Sequence, residues 1–413
     1  MSRFETAKAM YGEMGVDVDA ALAALSTVSI SMHCWQGDDV NGFEKEGGAS
    51  GGIAATGHYP GRARNADELF SDIDRALTLI PGKHRLNIHA IYTAPYEGAD
   101  RDKLEPRHFA RWVEFAKQRG LGIDFNPTFF SHPKAADNLT LSHPDDGIRK
   151  FWVEHGKCCR RIAAFFGKEL GTPSLNNVWI PDGYKNIPAD RIGPRRRLQE
   201  SLNELFSEEL DRKCVRDAVE SKVFGLGVEA YTVGSHEFYL NYAAWHDLLC
   251  LLDVGHYHPT ETISDKISAM LLFYDLLALH VSRPVRWDSD HVIILDDELR
   301  AIGREIVRCN ALSRTLLALD FFDASINRVA AWVIGMRNMQ KAILAGLLLP
   351  NAKLTALQDE GNLGDVMAIE EELKLYPMGD VWDHFCETNG VPQRSGWMDD
   401  VRRYEKDVLA RRG

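Results

Sequence analysis

The stretch LCLLDVGHYHPTETISDKISAMLLFYDLLALHVSRPVRWDSD, Leu249 to Asp290, carries the fold in miniature. A short apolar run, Leu249 to Asp253, stops at an acid; a helical pattern, Ser264 to Leu272, follows; a second apolar run, Leu277 to Val281, ends in polar residues again. Short apolar runs bounded by polar clusters read as strands buried on both faces, and a helix between two of them makes a β–α–β unit with parallel strands. The same rhythm extends in both directions, with further candidate strands at Val28 to Cys34, Arg85 to Ile91, Leu121 to Phe125, Asn177 to Ile180, Asp217 to Lys222 and Thr315 to Asp320. Helical patterns lie between them, among them Glu105 to Arg119, Asp146 to Phe166, Pro194 to Leu210 and Asp296 to Asn310. Eight strands alternating with helices predict a (β/α)8 TIM barrel, an α/β fold; an open doubly wound sheet is the competing arrangement.

Working outward, two helices precede the first strand, Arg3 to Met14 and Val18 to Leu25, the second with Asp17 as its N-cap. Beyond Leu347 the strand rhythm stops and the chain turns helical and charged. The expected organisation is therefore a barrel with its N-terminal helices over residues 1–346 and a helical extension over 347–413. Trp397, Val401, Tyr404 and Val408 share one face of a terminal helix. That helix either packs on its own subunit or forms an arm for oligomerisation. The glycine-rich stretch Gly47 to Gly61 contains neither GxxxxGK[ST] nor GxGxxG opening a helix, so it reads as a flexible loop where a barrel enzyme would keep a lid.

The 413 residues carry 48 Lys and Arg against 60 Asp and Glu, a net charge of −12, which speaks against binding nucleic acid. No apolar stretch is long enough to span a membrane, and Met1 to Glu13 has no apolar block of the kind a secretory signal needs. The seven cysteines are scattered and never spaced CxxC, as expected of reduced thiols. A cytoplasmic enzyme is the resulting expectation.

Polar residues at the C-terminal ends of the strands are where a barrel keeps its chemistry. Those positions hold His33; His89; Asp124 and Asn126; Trp179 and Asp182; Glu220 and Lys222; Asp253 and His256; His280, Asp288 and Asp290; and Asp320 and Asp323. Each has a plain structural reading: Glu220 as an ion-paired acid, His280 as a core histidine, Asp288 and Asp290 as solvated loop acids, Asp323 as a helix cap. Gathered at one mouth they are a different matter, because two like charges ~4 Å apart repel by about 4 kcal/mol at an effective dielectric of ~20. A divalent cation, or two, relieves this. Oxygen and nitrogen donors without a thiolate favour Mn²⁺, Mg²⁺ or Co²⁺ over a structural Zn²⁺.

The strings SMHCWQGDDV (31–40), GGIAATGHYPGRARN (51–65), HAIY (89–92), DFNPTFFSHP (124–133), VWIPDG (178–183), AVESKVFG (218–225), GHYHPTE (255–261), HVSRPVRWDSDHV (280–292) and LDFFDASINR (319–328) resemble the L-rhamnose isomerases over essentially the whole chain. The resemblance implies a homotetrameric, Mn²⁺-dependent aldose–ketose isomerase that interconverts L-rhamnose and L-rhamnulose, the opening step of L-rhamnose catabolism, on a fold like that of xylose isomerase. By position it implies that Glu220, Asp253, His280 and Asp320 hold a structural, substrate-orienting metal, and that His256, Asp288 and Asp290 hold the catalytic one. Asp320 and Asp323 lie in one DFFD string; the strand-end position favours Asp320.

A donor-rich site without an obvious lone base favours a metal-assisted 1,2-hydride shift over a cis-enediol route. Lys222 is then placed to hold a sugar oxygen or a water, His89 to steer ring opening, and Trp179 to wall the sugar. Trp35, Phe129, Phe130 and Ile91 are candidates for an apolar patch against a C6 methyl. A metal-dependent barrel hydrolase or phosphodiesterase is the runner-up, and a non-catalytic carbohydrate-binding protein the third reading.

Overall fold

The computed structural model describes residues 2–44, 55–222 and 230–412. Eight parallel strands close on themselves: β1 (Ile30–His33), β2 (Arg85–His89), β3 (Gly122–Asn126), β4 (Ser174–Val178), β5 (Val215–Glu220), β6 (Leu249–Asp253), β7 (Leu277–Val281) and β8 (Thr315–Leu319). β8 pairs with β1 through Ile30 and Leu317, which excludes the open sheet. Two helices come first, α1 (Arg3–Glu13) and α2 (Val18–Ser26). Then one helix follows every barrel strand: α3 (Ala66–Leu77), α4 (Ala110–Arg119), α5 (Asp146–Leu170), α6 (Ile192–Leu205), α7 (His236–His246), α8 (Ser264–Met270), α9 (Asp297–Arg308) and α10 (Arg328–Leu347). β7 is buried along its whole length, as a parallel strand covered by helices on one face and barrel core on the other must be.

Local sequence sets the element ends. Asp17 caps α2 by accepting from the Ala20 N–H, and Asn65, Asp145 and Asp296 cap α3, α5 and α9 in the same way. Gly120 and Gly171 close α4 and α5 in the left-handed conformation. The helix expected from Glu105 begins as a 3₁₀ turn, Pro106–Phe109, and becomes α-helical at Ala110.

Two strands sit earlier than their apolar runs suggest. β4 starts at Ser174 rather than Asn177, and β5 runs from Val215 to Glu220 rather than to Lys222. Trp179 and Lys222 therefore stand beyond their strands, on the turns that follow. A two-residue antiparallel pair, Gly183–Tyr184 with Tyr231–Thr232, lies above this edge of the barrel.

Four helices follow the barrel: α11 (Asn351–Asp359), α12 (Leu363–Leu373), α13 (Met378–Thr388) and α14 (Trp397–Asp407). Val401 and Tyr404 of α14 are buried against the same chain. The Tyr404 hydroxyl donates to Asp72 at 2.7 Å, Arg412 forms an ion pair with the same carboxylate at 2.6 Å, and Glu405 accepts from Tyr59 and Asn327. The C-terminal helix is thus latched onto α3 and the start of α10.

Of the glycine-rich stretch, residues 47–54 lie outside the described part. Gly57 does not: its φ is +125°, and a Cβ there would stand 2.3 Å from the Ala324 backbone. Only glycine lets the chain pass so close, and Thr56 O and Tyr59 N both bond Ala324 there.

Candidate active site

Parallel register brings the expected donors to one level. Asp253 of β6 stands directly opposite His280 of β7, and β8 ends one residue before Asp320. His280 Nδ1 lies 3.5 Å from Glu220 Oε1, 3.5 Å from Asp320 Oδ2 and 3.9 Å from Asp253 Oδ2. One layer further out, His256 Nδ1 is 3.3 Å from Glu220 Oε1, and its Nε2 is 3.2 Å from Asp288 Oδ2. Asp290 lines the same cavity, which opens to solvent. The donors form two groups: Asp253, His280 and Asp320 within 4.8 Å of one another, and Glu220, Asp253 and His256 likewise.

These residues fit a cation. Asp253 Oδ2, His256 Nδ1, His280 Nδ1 and Asp288 Oδ1 are buried and lack a hydrogen-bond partner. An unpaired buried polar group costs about 1–3 kcal/mol, so four in one cluster of residues call for a ligand. The set is all carboxylate and imidazole, which suits hard or borderline divalent ions.

Protons occupy the site when no cation does. Burial would lower His280, but Glu220 and Asp320 outweigh it and push the imidazole up to about 10; His256 rises because Asp253 and Asp288 likewise outweigh its burial. Burial, with repulsion from neighbouring carboxylates, holds Asp253 and Asp290 well above the ordinary carboxylate range, even though Asp290 keeps part of its surface on the cavity. Asp320 goes the other way, to about 2, because the attraction of the His280 imidazolium beside it overcomes burial.

Two results follow. Metal uptake at pH 7.5 is expected to release protons, because these groups must shed them to ligate; calorimetry in two buffers of different ionisation heat measures the number. For the metal-free chain the sign is also fixed. A raised folded pKa gives stability that is full below the unfolded value, 6.5 for His280, and is lost as pH rises toward about 10. Melting temperatures of the metal-stripped protein should fall across that window.

The cavity wall is aromatic. Trp35, Phe130 and Trp179 surround His89, with Trp35 4.7 Å and Phe130 5.4 Å from its ring. Trp35 also donates from Nε1 to Asp320 Oδ1 at 2.9 Å, joining wall and cluster. His89 shares a 3.1 Å hydrogen bond with the Thr128 hydroxyl, and burial lowers it to about 3, so it is neutral. Lys222 donates from Nζ to the Pro181 carbonyl at 2.5 Å and stands 5.9 Å from the Trp179 ring, behind the wall rather than on it.

Of the proposed apolar patch, Trp35 and Phe130 line the cavity. Phe129 packs inward on Trp152 and His155, and Ile91 on the turn at Gly42. Val40 and Phe322 complete the wall, and sequence reading missed both. Val40 follows the polar string GDD in a left-handed turn, φ 60°, where no periodicity marks it.

Three strand-end acids belong elsewhere. Asp124 pairs with Arg85 at 2.8 Å and accepts from Ser31, because it lies two residues below the end of β3. Asp182 accepts from the backbone and hydroxyls of Thr140 and Ser142 and pins that loop. Asp323 caps its own turn by accepting from Ser325, while Asp320 faces His280. His33 is buried with Nε2 on the Phe321 carbonyl.

Gly255 sits between the two halves of the cluster. A Cβ there would meet Asp288 Oδ1 at 2.2 Å. Gly255→Ala should therefore displace Asp288 and lower both Mn²⁺ affinity and turnover by about tenfold or more, the usual cost of disturbing a ligand's support. Mn²⁺ titration of the variant checks it.

A closed (β/α)8 barrel with a buried carboxylate–imidazole cluster at its strand ends, beneath an aromatic-walled cavity, has the architecture of a metal-dependent enzyme for small polar molecules. Comparison with known proteins narrows this. The L-rhamnose isomerase (RhaA) family model matches residues 1–412. An L-rhamnose isomerase from Listeria innocua is 57% identical over 411 residues, 99% of this chain and 98% of the relative. One from Escherichia coli O9:H4 is 55% identical over the same shares. The chain belongs to the L-rhamnose isomerase family. Among solved structures, an L-ribulose 3-epimerase aligns with a TM-score of 0.46 and 11% identity, covering 80% of this chain and 98% of that one.

Proposed function

We propose that this protein interconverts L-rhamnose and L-rhamnulose at the cavity above His280, by a 1,2-hydride shift. The observation that carries the reading is the set of buried unpartnered atoms on Asp253, His256, His280 and Asp288, beneath an aromatic-walled cavity in a chain of this family. In this assignment Glu220, Asp253, His280 and Asp320 hold one divalent ion, and His256, Asp288 and Asp290 hold the other. Bound there, such ions supply Lewis acidity toward the O1 and O2 of the sugar.

The protein's own groups do the rest. Neutral His89, fixed by Thr128, is placed to exchange a proton with the ring oxygen as the pyranose opens. Trp35, Phe130 and Trp179 exclude water while the hydrogen passes, with its electron pair, from C2 to C1. The O2 proton leaves and O1 gains one, so the reaction balances without an oxidant. Lys222 takes a sugar oxygen if its ammonium leaves the Pro181 carbonyl when substrate enters. Val40 and the aromatic wall give an apolar surface for the C6 methyl.

The experiment is turnover of L-rhamnose in D₂O with Mn²⁺ present. A hydride shift gives L-rhamnulose without deuterium at C1. Deuterium at C1 would mean a cis-enediol route, and no ketose from any aldohexose would reject the function.

Mn²⁺ is our choice of ion, with Co²⁺, Mg²⁺ or Zn²⁺ as alternatives, because the donor set lacks thiolate. We place the protein in the cytoplasm as a homotetramer. Trp245, Leu272 and Phe273 are more than four-fifths exposed and form the kind of apolar surface that a subunit contact covers. Among the described residues no helix is long and apolar enough to cross a membrane. Light scattering should give four times the 46.4 kDa chain mass.

A further inference from the structure

Beneath the cavity three asparagines and two of the metal-site donors form a closed ring across the barrel interior. Asn177 of β4 donates from Nδ2 to Glu220 Oε2 at 2.5 Å and reaches Asn126 Oδ1 of β3 at 3.4 Å. Asn126 donates to Asn87 Oδ1 of β2 at 2.6 Å and to the Ile88 carbonyl at 3.3 Å. The Asn87 amide stands 3.5 Å from His280 Nε2, and His280 Nδ1 returns to Glu220 Oε1 at 3.5 Å. No member is more than 3% exposed.

The direction of the chain follows from its ends. A carboxylate and a main-chain carbonyl can only accept, so Asn177 must turn its NH₂ to Glu220, and Asn126 its NH₂ to Ile88. Asn87 must then offer its oxygen to Asn126. Barrel interiors are ordinarily filled by Val, Ile and Leu. Three buried amides in their place are costly unless they serve a purpose, and here the chain of amides ends on Glu220, one of the metal-site donors.

We propose that Asn177, braced by Asn126 and Asn87, is a positioning residue that aims Glu220 at a divalent ion. Asn177 occupies Oε2 of Glu220, which leaves Oε1 as the oxygen that faces His256 and His280. The asparagines do not themselves ligate. This inference rests on the metal reading above.

The test titrates metal-stripped full-length protein with Mn²⁺ alone. Asn177→Leu is the main variant, because it removes the amide from Glu220 Oε2. Asn126→Leu, at a residue that reaches Glu220 only through Asn177, is the second, and keeps the test readable if the first does not fold. Wild type should bind two Mn²⁺, and each folded variant should lose about ten- to a hundredfold in affinity at one site, as for other groups that orient ligands. The other site should change by less than about threefold. Folded leucine variants with wild-type affinity at both sites would overturn the positioning role while leaving the metal reading intact. Wild type that takes up no Mn²⁺ would overturn the metal reading, and this inference with it.

Discussion

Asp290→Asn is expected to lower turnover of L-rhamnose by about a thousandfold or more, which is about 4 kcal/mol of barrier at 1.36 kcal/mol per decade. Asp290 holds φ at 42°, an uncommon conformation for a residue other than glycine, and its carbonyl accepts from the Phe322 N–H at 3.1 Å. The backbone is held, so the side chain faces the cavity in a defined place. The amide has almost the shape of the carboxylate but lacks its charge, so it ligates a cation weakly. Packing is preserved, so the melting temperature of the metal-free variant should stay within a few degrees of wild type. Turnover at saturating Mn²⁺ is the measurement; wild-type turnover would remove Asp290 from the catalytic-metal assignment.

Arg101→Leu should be the most destabilising single change near the site, at about 3–5 kcal/mol, the cost of removing one member of a buried ion pair. Arg101 is 1% exposed. Its guanidinium pairs with Glu44 at 2.9 Å and donates to the carbonyls of Thr128, Phe130 and Ser131. It therefore ties the chain before the glycine-rich stretch to the loop after β3, which presents Phe130 to the cavity and Thr128 to His89. Leucine would leave three carbonyls and a carboxylate without their donor. Denaturant unfolding reads the loss, and KM for L-rhamnose should rise as the Phe130 wall loosens. A change below about 1 kcal/mol, typical of a surface pair, would contradict the account.

Nothing in the sequence announces Arg101. It lies in a short 3₁₀ turn between strands, where neither periodicity nor motif distinguishes it from its charged neighbours Asp100, Asp102 and Lys103. The barrel, by contrast, was legible, because strands such as LCLLD and LALHV are buried on both faces and stand out as unbroken apolar runs. Where a strand's inner face carries polar function the signal fades. Asn176, whose amide bonds Asp217, hides the start of β4, and the charged Arg216 hides that of β5. The same polarity that blurred the strand was the mark of the site.

Strand-end position alone overreached for Asp124 and Asp182. Both are buried acids near the mouth, but each is already satisfied by fixed donors, Arg85 and Ser31 for one, the Thr140 and Ser142 groups for the other. What separates Asp253 and Asp288 from them is one buried oxygen each that no donor reaches, a property that only three-dimensional placement reveals. Val40 escaped for a different reason: its left-handed turn aims one apolar side chain into the cavity from a polar loop.

The account stands most directly on metal-dependent ketose formation. Protein stripped with chelator and incubated with L-rhamnose should form no L-rhamnulose, and restoring Mn²⁺ should restore it in proportion to the ion bound, up to two per chain. Undiminished ketose formation by fully stripped protein, or none after Mn²⁺ is restored to a folded chain, would contradict it.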